Sequence, residues 1–312
     1  MLTTDLQRGK LVGGLPRLSQ AQAPLTCEVT AVNEHGEPVS VAIPAERALT
    51  VYVDKRELVT LMTLGAHPEL LVLGYLLNQR LVKHIEEIES VTVDWDVGAA
   101  AVKTQRGIAN IEEKTAKRVV TTGCGQGSVF GGLMDEVDQI KLPLDAHITQ
   151  SQLYALVNTI RLKETTYKSA GSVHACALFD LNCDQPEMLL FVEDVGRHNA
   201  IDTIAGWMSL HLTASPSSLP LPLGEGGGEG SPLPTCKKQP LAFYTTGRLT
   251  SEMVIKSAQM GVPIVVSRSG ITQMGHQVAQ TVGLCAIGRA TNKRFVCYTS
   301  PQRLMLQPAL AA

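Results

Sequence analysis

The spacing of apolar and polar residues changes partway along the chain. In the first part, β-type runs extend from Cys27 to Val53, and apolar residues alternate with polar ones over residues 91–97, which is strand periodicity. Between them, Pro68 suits the first turn of a helix that continues through Leu77. This part predicts an α+β subdomain with antiparallel strands.

The second part alternates strand-like and helix-like segments. Thr149 and Gln152 have the spacing of a capping box, and Leu153, Leu156 and Ile160 follow on one helical face. Strands then alternate with helices, which predicts a largely parallel sheet covered on both faces. The predicted strands are 173–179, 188–193, 241–245, 264–266, 284–287 and 295–299, and the predicted helices are 197–210, 250–260 and 272–282.

These patterns predict four regions. Residues 1–25 are expected to be a loosely ordered lead-in, 26–145 the N-terminal α+β subdomain, 146–305 an α/β domain, and 306–312 a tail. Residues 213–238 are rich in Pro, Gly and Ser and have too little apolar surface to offset the entropy of ordering. We predict that they form a disordered surface insertion.

Composition narrows the function classes. The hydrophobic fraction of 44% and the charged fraction of 18% are typical of a globular protein with a full core. The net charge of -2 and an aromatic content of 4% argue against nucleic acid as a partner. The N-terminus resembles no signal peptide, and no run reaches the roughly 18 apolar residues of a membrane span. We therefore expect a soluble cytoplasmic protein without a membrane partner.

Seven cysteines are scattered without metal-ligand spacing. They predict neither a zinc site nor a disulfide framework, and most should be buried free thiols. Cys124 differs, because glycines at 123, 125 and 127 leave it unscreened and allow the backbone N–H groups to stabilise a thiolate or persulfide. A tight turn that happens to contain a cysteine is the alternative interpretation.

Three junctions in the second part combine arginine with glycine or small hydroxyl residues. They occupy residues 245–251, 267–272 and 286–293, each after a predicted strand. Because the carboxyl ends of parallel strands form one crevice, and helix N-termini there favour phosphate, the junctions predict an anionic, phosphate-bearing ligand. Solvated surface arginines are the alternative.

Two histidine-containing motifs invite functional interpretations. His198 could act as a general acid or base, but the favoured interpretation is structural, with Asp194 and Asn199 capping a helix and orienting Arg197. The segment from His174 to Cys176 partly resembles the zinc-deaminase signature. It lacks the catalytic glutamate and the P-C-x-x-C element, so deaminase chemistry and a metal site are not expected.

Taken together, these motifs resemble the formate dehydrogenase accessory sulfurtransferase (FdhD/NarQ) family over roughly residues 40–305. The stretches that carry the resemblance are TTGCGQGSVF, SVHACALFD, VEDVGRHNAID, TTGRLTSEMVIKSAQMGVPIVVSRSG and YTSPQRL. It implies a three-layer core like that of cytidine deaminases. It also implies a homodimer.

The resemblance further implies a function. Such proteins accept sulfur from a cysteine desulfurase as a persulfide, for which Cys124 is the matching cysteine. They pass it to the molybdenum (or tungsten) bis(molybdopterin guanine dinucleotide) cofactor of formate dehydrogenase. By position, the stretch that contacts this cofactor comprises Gly288, Arg289, Ala290, Thr291, Asn292 and Lys293.

One departure keeps a second hypothesis open. Some family members have C-x-x-C in the loop, whereas here the second position is Gly127, so no disulfide can form within the loop. Cys124 alone can still hold one sulfur atom. The alternative is a chaperone that binds and inserts the molybdenum cofactor without transferring sulfur.

Overall fold

A computed structural model describes residues 14–108, 111, 137–163, 165–212, 240–307 and 310. The predicted Cys124 loop and the predicted insertion 213–238 lie outside the described residues. The strands are β1 (Arg17–Leu18), β2 (Thr26–Val32), β3 (Pro38–Pro44), β4 (Arg47–Val53), β5 (Arg56–Thr63), β6 (Ile88–Asp94), β7 (Ala99–Thr104), β8 (Ile148–Thr149), β9 (His174–Asp180), β10 (Glu187–Asp194), β11 (Leu241–Thr245), β12 (Ile264–Ser267), β13 (Cys285–Thr291), β14 (Arg294–Cys297) and β15 (Leu304–Met305).

The α-helices and short 3₁₀ turns complete the described elements. The helices are α1 (Pro68–Asn78), α2 (Gln150–Lys163), α3 (Thr166–Ala170), α4 (Arg197–His211), α5 (Ser251–Gln259) and α6 (Gln273–Val282). The 3₁₀ turns are Ile85–Glu87, Val137–Gln139 and Pro301–Arg303. Within these described elements, no helix combines the length and the apolar character needed to cross a lipid bilayer.

The N-terminal part contains a five-stranded sheet in the order β1-β6-β7-β4-β5. β6 pairs with β7 and β4 pairs with β5 in antiparallel fashion, as predicted, but β1–β6 and β4–β7 are parallel. Apolar residues of this sheet and of α1 share one core. The subdomain is thus α+β, with a mixed sheet in place of the antiparallel one predicted.

Part of the predicted loose lead-in is ordered. β1 pairs with β6, and Glu69 on α1 accepts hydrogen bonds from Ser19 Oγ at 2.7 Å and from the Ala21 N–H at 2.8 Å. The indole N–H of Trp95 donates to the Ala21 carbonyl oxygen at 2.6 Å. The prediction of a loose lead-in was therefore wrong for residues 17–21, because composition does not reveal partners that lie far along the chain.

The second part contains a six-stranded sheet in the order β10-β9-β11-β12-β13-β14. Only β11–β12 and β12–β13 are parallel, and the other three pairings are antiparallel. The prediction of a mostly parallel sheet was wrong, because short connections make β9–β10 and β13–β14 hairpins. The βαβ units predicted through α5 and α6 are present.

Helices cover both faces of this sheet. On one face, residues of α4, α5 and α6 pack against β9–β13, and on the other, residues of α2 pack against the alternate side chains of the same strands. The three-layer arrangement is therefore confirmed. The specific likeness to cytidine deaminases stays a prediction.

The two parts share a tight helix–helix contact between α1 and α4. A side chain at Gly74 would collide with the Asp202 carbonyl oxygen, and one at Gly206 would collide with the Leu70 carbonyl oxygen. Val137 and Leu142 precede the predicted boundary at 145, yet their side chains pack into the core of the second part, beneath the six-stranded sheet. The two predicted regions are thus packed together as one structure.

Local signals fixed two helix ends as predicted. The Gln152 N–H donates to Thr149 Oγ1 at 3.1 Å, and the Thr149 N–H donates to Gln152 Oε1 at 3.0 Å, which completes the capping box at the start of α2. α6 ends at Gly283, whose φ of 68° is in the left-handed region that glycine adopts readily. Thr272 caps the other end of α6.

Candidate functional site

The predicted arginine junctions lie side by side at one edge of the six-stranded sheet. The Arg268 N–H donates to the Thr245 carbonyl oxygen at 3.0 Å, and the Arg289 N–H donates to the Ser269 carbonyl oxygen at 2.6 Å. β10, β11, β12 and β13 run in the same direction, so their carboxyl ends meet here together with the start of β9. The three junctions are therefore adjacent, and we call this the arginine edge. That they form one crevice stays a prediction.

Arginine side chains along this edge differ in exposure. Those of Arg248, Arg268 and Arg289 are exposed, whereas Arg197 is 6% exposed. The Arg197 side chain lies directly over Gly247, where a Cβ atom would come within 2.5 Å of Arg197 Cδ. The absence of a side chain at Gly247 therefore makes room for a buried guanidinium at the base of an exposed basic edge.

His174 and Cys176 lie at the start of β9 on this edge. His174 Nδ1 is 3.4 Å from Thr246 Oγ1, and burial together with the charge of Arg197 lowers its pKa. Cys176 is fully buried, and its thiol donates to Thr245 Oγ1 at 3.3 Å. Burial raises the Cys176 pKa to about 12, so this thiol stays protonated and unreactive near neutral pH.

Asp194 and Asn199 connect the two parts of the protein. Asp194 accepts hydrogen bonds from the Thr63 hydroxyl, the Leu64 N–H, the Gly196 N–H and the Asn199 amide. The Asn199 amide also donates to the Met62 carbonyl oxygen. The predicted role of both residues as helix caps was incomplete, because the N-cap of α4 is Gly196 and Asp194 instead holds the end of β5 against α4.

A chain of buried charged groups runs from α5 through α4 to α1. Lys256 Nζ lies 2.9 Å from Asp202 Oδ2 and 3.4 Å from Glu252 Oε1. Glu252 Oε1 is 3.5 Å from His198 Nδ1, and the Asn78 amide donates to Asp202 Oδ1 at 2.7 Å. We call Asn78, His198, Asp202, Glu252 and Lys256 the buried polar chain.

The groups of the buried polar chain have shifted pKa values. Burial, followed by the charges of Lys256 and Arg197, lowers the pKa of His198 to about 2, so its imidazole is neutral. Burial alone would lower the pKa of Lys256, but the Asp202 and Glu252 carboxylates outweigh it and raise this pKa. The structural interpretation of His198 is therefore supported, and the charge of Lys256 nearby helps to keep its ring neutral.

Sequence reasoning missed most of the buried polar chain. Glu252 and Lys256 occur at i, i+4 in α5 among the apolar residues Met253, Val254 and Ile255, and all five are buried. Two charged residues within such an apolar stretch of helix were a usable signal. Asp202 and Asn78 carried no comparable signal, because they are remote in sequence.

The predicted cofactor-contacting stretch forms the end of β13 and its turn into β14. Arg289, Thr291 and Lys293 line a cavity of about 770 Å³, whose other walls are Gln150, Tyr154, Arg294, Phe295, Val296 and Leu306. Ala290 points into the core and Asn292 is exposed at the turn. Gly288 is buried, where a Cβ atom would come within 2.8 Å of the Tyr298 ring. The structure thus brings three of the six predicted residues to one cavity.

The hairpin has an irregular backbone. Arg289 and Asn292 have φ values of 52° and 50°, and the β13–β14 register shifts between Gly288 and Thr291. Left-handed backbone at non-glycine residues is uncommon and marks turns or functional sites. The hydroxyl of Tyr154 on α2 supports the turn by donating to the Lys293 carbonyl oxygen at 3.0 Å.

The cysteines differ in environment. Cys124 and Cys236 lie outside the described residues. Among the others, Cys27 and Cys183 are exposed, Cys176 and Cys285 are buried, and Cys297 is half-buried. In the part of the chain that the structure describes, no three His, Cys, Asp or Glu side chains converge as a metal site.

Comparison with known proteins gives a consistent family assignment. Residues 44–305 match the FdhD/NarQ family. The "Sulfur carrier protein FdhD" of Bacillus subtilis (strain 168) is 30% identical over 290 residues, covering 89% of this chain and 98% of that protein. The protein of the same name from Bacillus pumilus is 29% identical over 260 residues, covering 83% and 88%.

A solved structure supports the fold. It is that of a formate dehydrogenase accessory protein from Desulfotalea psychrophila, and it superposes with a TM-score of 0.65 at 21% identity, covering 90% of this chain and all of that one. The extent of the family match and the full-length similarity to the Bacillus subtilis protein leave one conclusion: this chain is a member of the FdhD/NarQ family.

Proposed function

We propose that this protein is a sulfur carrier in the maturation of formate dehydrogenase. Cys124 accepts sulfur as a persulfide from a cysteine desulfurase, and the sulfur then passes to the molybdenum bis(molybdopterin guanine dinucleotide) cofactor, which is the substrate of the transfer. The names of the relatives support the role of sulfur carrier. The observation that carries the proposal is the meeting of the arginine junctions at one sheet edge, beside a cavity lined by the predicted stretch.

The chemistry of the cavity suits a nucleotide-bearing substrate. Arg289, Lys293 and Arg294 provide positive charge for phosphate oxygens, and the Thr291 hydroxyl provides a hydrogen bond. Tyr154 and Phe295 provide aromatic surface on the same cavity, with ring centroids 6.2 Å apart. Arginine and aromatic surface together can hold a phosphorylated purine.

The residues at the hairpin divide this work. The side chains of Arg289, Thr291 and Lys293 are the candidates for contact, whereas Ala290 packs inside and supports the strand. Gly288 allows the strand to approach Tyr298 and the Ser269 carbonyl oxygen closely, so it shapes the edge without offering a side chain. Asn292 is exposed in the left-handed turn.

The proposed sulfur transfer to the protein is a thiol exchange. The Cys124 thiolate attacks the outer sulfur of the persulfide on the desulfurase, a new S–S bond forms on Cys124, and the desulfurase cysteine leaves as a thiolate. Its rate depends on the fraction of Cys124 present as thiolate and on access to it. This transfer is the basis for classing the protein as a sulfurtransferase, acting in the cytoplasm.

A cofactor-inserting chaperone that transfers no sulfur is the second candidate. The arginine edge and the cavity would serve a chaperone equally well. Their proposed role is to bind the cofactor, and that role does not require a thiol. The difference between the two functions therefore rests on Cys124.

Complementation separates the two. Cells lacking this protein would receive the wild type, Cys124→Ser, or Cys183→Ser as an exposed-cysteine control, and formate dehydrogenase activity would be measured. Sulfur transfer predicts loss of activity with Cys124→Ser alone. Full activity with Cys124→Ser would reject the sulfur carrier and favour the chaperone.

We also propose a homodimer. The ribbon formed by β2 and β3 exposes Val29, Val32, Val41 and Ile43. Exposed apolar residues in a two-stranded ribbon favour burial against another surface. Sedimentation velocity of the full chain tests this proposal.

A further inference from the structure

Two cysteines in the last two strands of the six-stranded sheet, β13 and β14, are in direct contact. Cys285 begins β13 and Cys297 ends β14, and their Sγ atoms are 3.9 Å apart. The strands are neighbours in an antiparallel hairpin, so their pairing holds the two thiols together. A disulfide requires the sulfur atoms to approach to about 2.05 Å. The register places Cys297 opposite Ile287, so the two sulfur atoms must close the remaining gap diagonally across the hairpin.

The two thiols are not equivalent. Cys285 is 0% exposed within the core beside α2, whereas Cys297 is half-buried. A hydrogen bond from the Cys285 thiol lowers the pKa of Cys297, and the same bond together with burial raises the pKa of Cys285. Cys297 is therefore the thiol that reacts with an incoming molecule, and Cys285 is a protected second thiol.

The pair lies next to the candidate site. Phe295 and Val296, which directly precede Cys297 in β14, line the 770 Å³ cavity. Phe295 and Cys297 pack against the same core. Neither cysteine lines the cavity itself, but its wall residue Val296 directly precedes Cys297 in β14.

We propose that Cys285 and Cys297 are a second sulfur-handling site, which accepts the outer sulfur of a low-molecular-weight persulfide and releases it as hydrogen sulfide. The inference goes beyond the proposed role of Cys124 and does not depend on it. In this proposal the hairpin reduces the outer sulfur of a persulfide to sulfide. This reduction needs two thiols, because they are oxidised together to a disulfide.

The reaction balances in two steps. First, the Cys297 thiolate attacks the outer sulfur of a persulfide R–S–SH, forms Cys297–S–SH and releases the thiolate R–S⁻. Second, Cys285 attacks Cys297 Sγ while its proton passes to the departing sulfur, so that a Cys285–Cys297 disulfide forms and H₂S leaves. Two thiols are oxidised to a disulfide, and the transferred sulfur is reduced to sulfide. A dithiol reductant then restores both thiols.

The contact between the sulfur atoms favours the second step. An attacking group already held beside the reacting atom acts at a high effective concentration. Without Cys285, the persulfide on Cys297 would form but could not be resolved. Without Cys297, neither step would occur. These two losses differ in their products and can be told apart.

The test uses the full-length protein carrying Cys124→Ser, so that failure of the Cys124 proposal leaves its outcome unchanged. Reduced protein is mixed with glutathione persulfide, released sulfide is measured, and peptides are mapped by mass spectrometry. The expected result is one sulfide for each Cys285–Cys297 linked peptide. With Cys285→Ala added, sulfide release should fall about tenfold or more, and the Cys297 peptide should gain one sulfur atom.

Further variants complete the test. Cys297→Ser should give neither sulfide nor a modified peptide, and Cys183→Ala should behave as the parent protein. Cys285→Ser provides a second variant if Cys285→Ala fails to match the thermal midpoint of the parent. Sulfide release that persists with Cys285→Ala, or a linked peptide formed without sulfide, would overturn the proposal.

Discussion

Lys256 on α5 and Asp202 on α4 form an ion pair at 2.9 Å in which both side chains are 0% exposed. Glu252 lies 3.4 Å from the same ammonium group, and Asn78 on α1 completes the coordination of Asp202. Three helices from both parts of the protein are thus joined by buried charges. Buried charges are tolerated only when they are paired, so each member of the set depends on the others.

Removing Lys256 should destabilise the protein strongly. Lys256→Met leaves Asp202 and Glu252 buried without their cation, and the expected loss in the free energy of unfolding is about 3–5 kcal/mol. The exposed control Lys83→Met should change it by less than about 0.5 kcal/mol. Urea denaturation measures both.

A second substitution tests the pairing itself. Asp202→Asn in the Lys256→Met background should cost less than the same change in the wild type, because the uncompensated carboxylate is already present. Equal costs in both backgrounds would show that the two groups do not stabilise each other.

His198 should make stability depend on pH. Burial lowers its pKa from 6.5 to about 2 in the folded protein, so below pH 6.5 the unfolded chain binds a proton that the folded protein does not. Above pH 6.5, His198 therefore does not reduce the free energy of unfolding. Below pH 6.5, the free energy of unfolding falls by up to about 1.4 kcal/mol per pH unit. The charged and titratable groups that lie near His198 are Arg197, Glu252, Lys256 and His174.

The change His198→Gln isolates this contribution. Relative to the wild type, the variant should lose less stability between pH 6.5 and pH 5, as measured by chemical denaturation at several pH values. His35→Gln, at an exposed position, serves as the control. If the curves for His198→Gln and the wild type run parallel, the imidazole is not held neutral by the fold.

Charge reversal at the hairpin should weaken nucleotide binding. Arg289→Glu or Lys293→Glu replaces a cation in the cavity with an anion, and each is expected to lower the affinity for guanosine diphosphate about tenfold or more, which corresponds to about 1.4 kcal/mol. Lys83→Glu makes the same charge change at an exposed site that does not line the cavity. Titration calorimetry would contradict the assignment if all three variants bound equally.

Local sequence signals predicted helices better than sheet direction. The ends of α2 and α6 followed from Thr149, Gln152 and Gly283, since capping depends on residues a few positions apart. The direction of β9, β10 and β14 did not follow, because the apolar pattern of a strand is the same whichever way the strand runs.

The candidate site was predicted where it depends on strand ends and missed where it depends on tertiary contacts. The arginine junctions could be placed together because parallel strands β11, β12 and β13 end at one edge. The contact of Cys285 with Cys297 and the pairing of Asp202 with Lys256 were not predicted. The sequence separations of these pairs match no local motif, and only the folded sheet and helices bring them together.

The most direct test of the account follows the sulfur atom itself. The full-length protein is incubated with a cysteine desulfurase and cysteine labelled with radioactive sulfur, and the label retained on the protein is measured before and after reduction with a thiol. Wild type, Cys183→Ala and Cys27→Ala should retain label that reduction releases, whereas Cys124→Ala should retain far less. Equal retention by Cys124→Ala would contradict the assignment of Cys124 as the sulfur carrier.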